Sequence, residues 1–257
     1  MGRALIGGLI SGGLPKLSIN VADKLVASRE ACTQQFGVKV FENSTLAANK
    51  SDAIILAVKP KDIEEVCCDL VRNPLSDTLI ISIAAGVTCA QLENWLGEST
   101  AIIRAMPNTP ALIGLGITGM FANENVNPSH KLLGTKILSA VGKIEWLLEE
   151  QELDAVTAVS GSGPAYFFLF CELLENAAVE LGLDRNLSRR LILSTAKGAA
   201  ELAQSGDKSS AQLRAEVTSP GGTTEQALIS FKKNNLQKII TEALVAARDR
   251  SSELSDK

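Results

Sequence analysis

Two threonines that follow a proline and two glycines are the residues of this chain best placed to do chemistry. In Val217-Thr218-Ser219-Pro220-Gly221-Gly222-Thr223-Thr224-Glu225-Gln226-Ala227-Leu228, turn residues stop the chain just before a helical pattern begins. A helix start leaves backbone N–H groups without intrahelical partners, and the summed peptide dipoles make that end positive. A carboxylate or phosphate docked there meets several donors at once. The spacing suits a plain helix start with a threonine N-cap equally well, and spacing alone leaves both readings open.

Other reactive side chains narrow the chemistry by their scarcity. His130 is the one histidine, so a His-dependent triad or a multi-histidine zinc site has nothing else to draw on. It follows Asn127-Pro128-Ser129 at a helix start, where it is expected to be solvated. The five cysteines, Cys32, Cys67, Cys68, Cys89 and Cys171, have no metal-ligand spacing and are odd in number. That is the pattern of reduced, buried thiols in a cytosolic protein. Adjacent Cys67 and Cys68 lie on a helical pattern and should point to different faces.

The elements that must position these residues fall into two halves. With 257 residues, 46% hydrophobic and 21% charged, the chain can bury one large core or two smaller ones. A net charge of −4 gives no basic footprint, so nucleic acid is not expected as a partner. The richest apolar run, residues 165–174, carries Glu172 and soon meets Glu175, which argues against a membrane span. The N-terminus lacks a signal peptide's layout, so a cytoplasmic location is expected.

Up to residue 148, short β-type runs (17–22, 38–41, 53–59, 78–84, 101–105, 117–122, 143–147) alternate with helical stretches (22–35, 61–71, 89–96, 128–141). Runs such as Ala53-Ile54-Ile55-Leu56-Ala57-Val58 are apolar throughout, as strands covered on both faces should be. The alternation predicts an α/β fold with a parallel, doubly wound sheet over residues 1–148. Over residues 149–257 the strand rhythm stops, and helical patterns occupy 164–181, 187–204, 211–217, 223–233 and 236–254. The first of these is apolar around much of its circumference and needs cover on several sides, from a central position or from a second subunit.

Read with Leu213 upstream, the 217–228 block resembles the signature of pyrroline-5-carboxylate reductases, the enzymes that make L-proline. Four more blocks are similar to that family, in order: Ala57-Val58-Lys59-Pro60, Ser82-Ile83-Ala84-Ala85-Gly86-Val87-Thr88, Arg104-Ala105-Met106-Pro107-Asn108-Thr109-Pro110-Ala111 and Ala158-Val159-Ser160-Gly161-Ser162-Gly163-Pro164-Ala165-Tyr166. The resemblance spans nearly the whole chain. It implies a Rossmann-like domain followed by an all-helical dimerisation domain, assembled as a homodimer or a higher homo-oligomer of dimers. The implied activity is hydride transfer from NADPH or NADH to the C=N bond of 1-pyrroline-5-carboxylate. A protonated cyclic imine needs little acid–base help, so the protein must mainly supply orientation and charge placement.

The resemblance also implies roles for single residues. Gly221, Gly222, Thr223 and Thr224 would hold the substrate carboxylate, the Thr224 hydroxyl would bond the ring nitrogen, and Ser219 would brace the loop. Glu150 matches an acidic position near the substrate, with a solvated acidic run as the alternative. Asp207 falls where relatives carry Glu followed by His-Pro, a pair replaced here, and Glu216 stands where an amide is often found. On the cofactor side the implied residues are Gly2, Asn43, Ser44, Ala57, Val58, Lys59, Pro60, Ile83, Ala84 and Ala85. Asp23, at the end of the second strand of such a fold, would bond the ribose of NADH and repel a 2′-phosphate. A helix-capping role is the other reading of Asp23, and Lys24 could offset its charge.

Met1-Gly2 looks like the end of the family's glycine loop, so the first strand and early glycines of the fold are expected to be missing. A chain of that kind should bind cofactor poorly. Two rival readings follow: a cofactor-deficient, non-catalytic subunit of the same family, and a reductase for a six-membered cyclic imine.

Overall fold

The computed structural model describes residues 1–72 and 77–255. They form two compact units, Met1–Ser162 joined by the residues from Ala246 onward, and Gly163–Val245. In the first unit the chain runs α1 (Gly2–Ser11), β1 (Asn20–Ala22), α2 (Val26–Phe36), β2 (Lys39–Phe41), α3 (Ser44–Ala48), β3 (Ala53–Leu56) and α4 (Ile63–Leu70). It continues through β4 (Leu79–Ser82), α5 (Cys89–Leu96), β5 (Ile102–Met106), β6 (Gly116–Ala122), α6 (Pro128–Ser139), β7 (Gly142–Trp146) and α7 (Glu152–Val156).

β1 and β2 pair in parallel, and β3-β4-β5-β6-β7 form a second sheet in that order. β3, β4 and β5 are parallel, as expected. β6 runs antiparallel to β5, which corrects the expectation of a wholly parallel sheet. The reason lies in residues 107–115. No crossover helix fits there; a 3₁₀ turn at Thr109–Ile113, ended by Gly114 at φ 72°, reverses the chain instead.

The continuous apolar runs are covered on both faces. Leu79, Ile81, Ile103 and Met120 pack with Leu5 of α1 and Leu138 of α6. Ile80 and Ile102, pointing the other way, pack with Ile63 and Cys67 of α4 and Leu92 of α5. Period-2 alternation of Ile80 and Ile81 between the two clusters is what a doubly wound sheet requires. α6 approaches the sheet closely at Gly134, where a Cβ would fall 2.6 Å from Ile103 Cδ1.

His130 is buried, not solvated. It shares a stripe with Gly134 and Leu138, four residues apart each time, and that stripe is the sheet-facing side of α6. Its Nε2 stands 3.5 Å from Asp77 Oδ1, and its buried Nδ1 has no partner among the described residues. The cysteines are all free, and Cys67 is buried while Cys68 is exposed, so the two do face opposite ways. The expectation that every thiol is buried fails at Cys68, on the outer side of α4, and at Cys171, which is only partly buried.

The compact units divide after Ser162 rather than at residue 148. α7 and the π-helical turn Thr157–Gly161 keep Leu153 and Ala158 buried in the first unit. The second unit holds α8 (Gly163–Glu180), α9 (Arg185–Gln204), α10 (Ser210–Glu216), α11 (Thr223–Lys233) and the first half of α12 (Leu236–Ser255). None of its apolar side chains is buried in the single chain; Phe167 and Phe168 are 72% and 68% exposed. Among the described residues, no helix is long and apolar enough to cross a membrane.

Candidate functional site

Because β3 and β4 are parallel neighbours, their carboxyl ends open on the same edge of the sheet. Ala57, Val58, Lys59 and Pro60 leave β3 exposed there, and Ile83, Ala84 and Ala85 leave β4 beside them. The start of α1 reaches the same edge, since a Cβ on Gly2 would lie 3.6 Å from Ala57 Cβ. Met1 supplies no side-chain cap to α1, so its first N–H groups remain available to an anion. Small side chains and a helix start at the carboxyl ends of parallel strands are the features that let a dinucleotide approach the backbone.

The flank of this edge is more occupied. Asp23 follows β1, and its Oδ1 accepts from Leu25 N–H at 2.8 Å, just ahead of α2. Lys24 is paired with Glu65 at 2.7 Å, and that hydrogen bond raises the lysine's pKa. Arg29 donates to the carbonyls of Asp23 and Lys24 at 2.7 and 3.0 Å, fixing the turn. Asn43 accepts from Thr45 N–H at 2.7 Å as the N-cap of α3, which places Ser44 at the first helical position.

Glu150 is held inside the first unit. Its Oε1 accepts from Arg104 Nη1 at 2.5 Å and from Cys89 N–H, the first residue of α5, at 2.7 Å. With side chains 8% and 23% exposed, Arg104 and Glu150 form a largely enclosed pair, not part of a solvated acidic run. The same α5 start carries a capping box from Thr88 and Gln91. Burial, then the nearby Glu150 charge, pushes the Cys89 thiol up, so it stays protonated.

In the second unit the anticipated helix start is present: α11 begins at Thr223, with Gly222 as N-cap and Gly221 at φ 72°. The N-cap is therefore a glycine and not a threonine. Two of the four expected donors are already engaged. Gly221 N–H donates to Glu225 Oε2 at 2.8 Å and Gly222 N–H to Ser219 O at 3.0 Å. Those two glycines shape the turn, while Thr223 and Thr224 head the helix with first-turn N–H groups. Ser219 braces the turn through its carbonyl. Asp207 is exposed, and its neighbour Lys208 pairs with Glu216 at 2.7 Å.

A pyrroline-5-carboxylate reductase of Pseudomonas aeruginosa is 44% identical over 256 residues, covering 100% of this chain and 94% of that protein. The chain belongs to the pyrroline-5-carboxylate reductase family. The enzyme of the same name from Vibrio alginolyticus is 37% identical over 255 residues, 99% of this chain and 94% of its own length. Among solved structures, a pyrroline-5-carboxylate reductase from Coxiella burnetii superposes with a TM-score of 0.93 at 41% identity, over 99% of this chain and 94% of that one. Residues 150–254 match the family model for pyrroline-5-carboxylate reductase dimerisation. Residues 1–86 match the model described as NADP oxidoreductase, coenzyme F420-dependent.

Within this reductase family frame, the residue that sequence reasoning left without a role is Arg104. The signal was present: an arginine in Ile102-Ile103-Arg104-Ala105-Met106, an otherwise apolar strand, demands a carboxylate partner. No local signal pointed to the C-terminal residues that meet the Gly86 turn.

Proposed function

We infer that this chain reduces 1-pyrroline-5-carboxylate to L-proline, using NADPH or NADH. Family membership over the full length carries this reading, and the crevice at the carboxyl ends of β3 and β4 supports it. The first unit would hold the cofactor: the start of α1 at Gly2 would take its phosphates, Ala57–Pro60 and Ile83–Ala85 would line it, and Asp23, Asn43 and Ser44 would serve the adenine-side ribose. When bound, the nicotinamide supplies a hydride. Thr223 and Thr224 offer N–H groups and the positive end of α11 to the substrate carboxylate. The Thr224 hydroxyl orients the protonated ring nitrogen, and Ser219 keeps the turn in shape. Glu150 acts on the first unit through Arg104 and α5, and Asp207 is a lesser candidate for substrate contact.

Functionally, residues 1–148 serve the cofactor, and 149–257 serve dimerisation and substrate. The bare apolar face of α8 supports a homodimer or an oligomer of dimers, since burying each such side chain is worth roughly 1.5–3 kcal/mol. The protein acts in the cytoplasm, with no membrane or nucleic-acid partner.

The test is oxidation of NADPH and NADH in the presence of pyrroline-5-carboxylate, with L-proline measured as product. Stoichiometric proline is expected. Turnover of the six-membered imine in preference supports the substrate rival, and no turnover of either supports the non-catalytic one.

A further inference from the structure

The loop that leaves β4 is held by a part of the chain far away in sequence. Gly86, buried at φ 73°, would bring a Cβ to 2.7 Å from Leu254 Cβ and to 3.1 Å from the Leu254 carbonyl group. Leu254 stands in the last turn of α12. Three residues earlier Ser251, only 5% exposed, donates from Oγ to Asp154 Oδ1 at 2.6 Å. Helix ends fray unless something ties them down. Here a buried hydroxyl bonded to a carboxylate of α7, and the Cβ and carbonyl of Leu254 lying against Gly86, which leaves them room, tie the last turns of α12 to the first unit.

The loop needs such help. Ile83 and Ala84 are set by the two core clusters, but Ala85 and Gly86 beyond them have little side chain to fix the backbone path. Its far end is secured by Glu150 on Cys89 N–H. Leu254 meets the loop itself at Gly86. We propose that the last turns of α12 are a brace that holds the Ile83–Gly86 loop in its cofactor-binding path, with Ser251 and Leu254 as positioning residues. This rests on the reading, given above, that the loop lines the dinucleotide crevice. A loop that is correctly placed only part of the time lowers the apparent affinity by that fraction.

The experiment compares full-length wild type with the S251A/L254G double variant, which removes the hydroxyl and the Cβ that lies against Gly86, by fluorescence titration of NADPH and NADH and by steady-state kinetics. The cofactor Kd and KM should rise about tenfold, the loss expected for one hydrogen bond to a charged group. The KM for pyrroline-5-carboxylate and the kcat at saturating cofactor should change far less. Ser251→Thr, which keeps the hydroxyl, should restore most of the affinity. If the double variant does not fold by circular dichroism, Ser251→Ala alone carries the test, with a rise of about fivefold. Wild-type cofactor affinity in the folded variant overturns the brace. Ala85→Trp separates the two layers of the argument. If it leaves cofactor binding intact, the loop does not line the crevice and both readings fall. If it abolishes binding while S251A/L254G binds normally, only the brace falls.

Discussion

The guanidinium of Arg104 and the carboxylate of Glu150 meet at 2.5 Å, and the same Glu150 oxygen accepts from the first N–H of α5 at 2.7 Å. One carboxylate thereby ties β5, the start of α5 and the approach to α7 together. Removing one partner of an enclosed pair leaves the other charge uncompensated, which costs about 3–5 kcal/mol. Glu150→Ala should lower the urea midpoint accordingly. Arg104→Met combined with Glu150→Leu should recover much of the loss, because no charge is then stranded. An unchanged midpoint in Glu150→Ala contradicts the role assigned here.

Thr224 is expected to matter for turnover and not for cofactor. Thr224→Ala should lower kcat by about tenfold to a hundredfold, corresponding to roughly 1.5–3 kcal/mol for a hydrogen bond to a charged group. The cofactor Kd, set in the first unit, should stay put. Steady-state kinetics with wild-type kcat would remove Thr224 from the reaction.

Asp23 poses a cleaner question than most acidic residues. Its Oδ1 already accepts from Leu25 N–H, so capping and nucleotide discrimination are both open to it. Serine can keep the cap while losing the charge. Asp23→Ser should therefore raise kcat/KM for NADPH relative to NADH, because a negative charge no longer faces the 2′-phosphate. Lys24 does not mask the effect, since it is turned to Glu65. A flat NADPH/NADH ratio would leave Asp23 as a cap alone.

Gly142 tests the register of the sheet edge. At φ 151° it pairs with Gly116, and a Cβ there would sit 1.9 Å from the Gly116 carbonyl oxygen. No side-chain rotation relieves a clash with backbone. Gly142→Ala should destabilise by about 1–3 kcal/mol or more, read as a lower melting temperature. A neutral effect would mean that β6 and β7 shift apart easily.

Much of this was legible in the residues, and what escaped has physical causes. α5 and α11 begin and end as the patterns predict, at Cys89–Leu96 and Thr223–Lys233, because Thr88 and the Gly221-Gly222 break mark their starts. β1 is shorter than expected, since Lys16–Ser18 curl into a 3₁₀ turn after Pro15. The antiparallel β6 escaped because apolar period encodes a strand's faces but not its direction. The polar neighbours of His130 suggest a solvated side chain, whereas its i, i+4, i+8 stripe with Gly134 and Leu138 puts it on the buried face of α6. Glu225 on Gly221 N–H and Leu254 on Gly86 are relations of backbone path, which residue types do not disclose.

The thiol of Cys67 makes a prediction about alkaline stability. Burial, aided by neighbouring Cys68, pushes its pKa up from 9.0 to about 12. Below pH 9 the thiol is protonated in both folded and unfolded chains, so its contribution is fully present. Between pH 9 and about 12 the unfolded chain releases the proton while the folded chain keeps it, and linkage then favours unfolding. Stability should therefore fall across that window and level off, for this group, above it. Cys67→Ala leaves a small cavity but removes the titration, so its denaturation midpoint should start lower and decline less steeply with pH. Cys68, exposed on the other side of α4, should react with a thiol reagent in the native state while Cys67 does not. Equal slopes for wild type and Cys67→Ala, from urea titrations repeated at several pH values, would show that Cys67 does not set the alkaline limit.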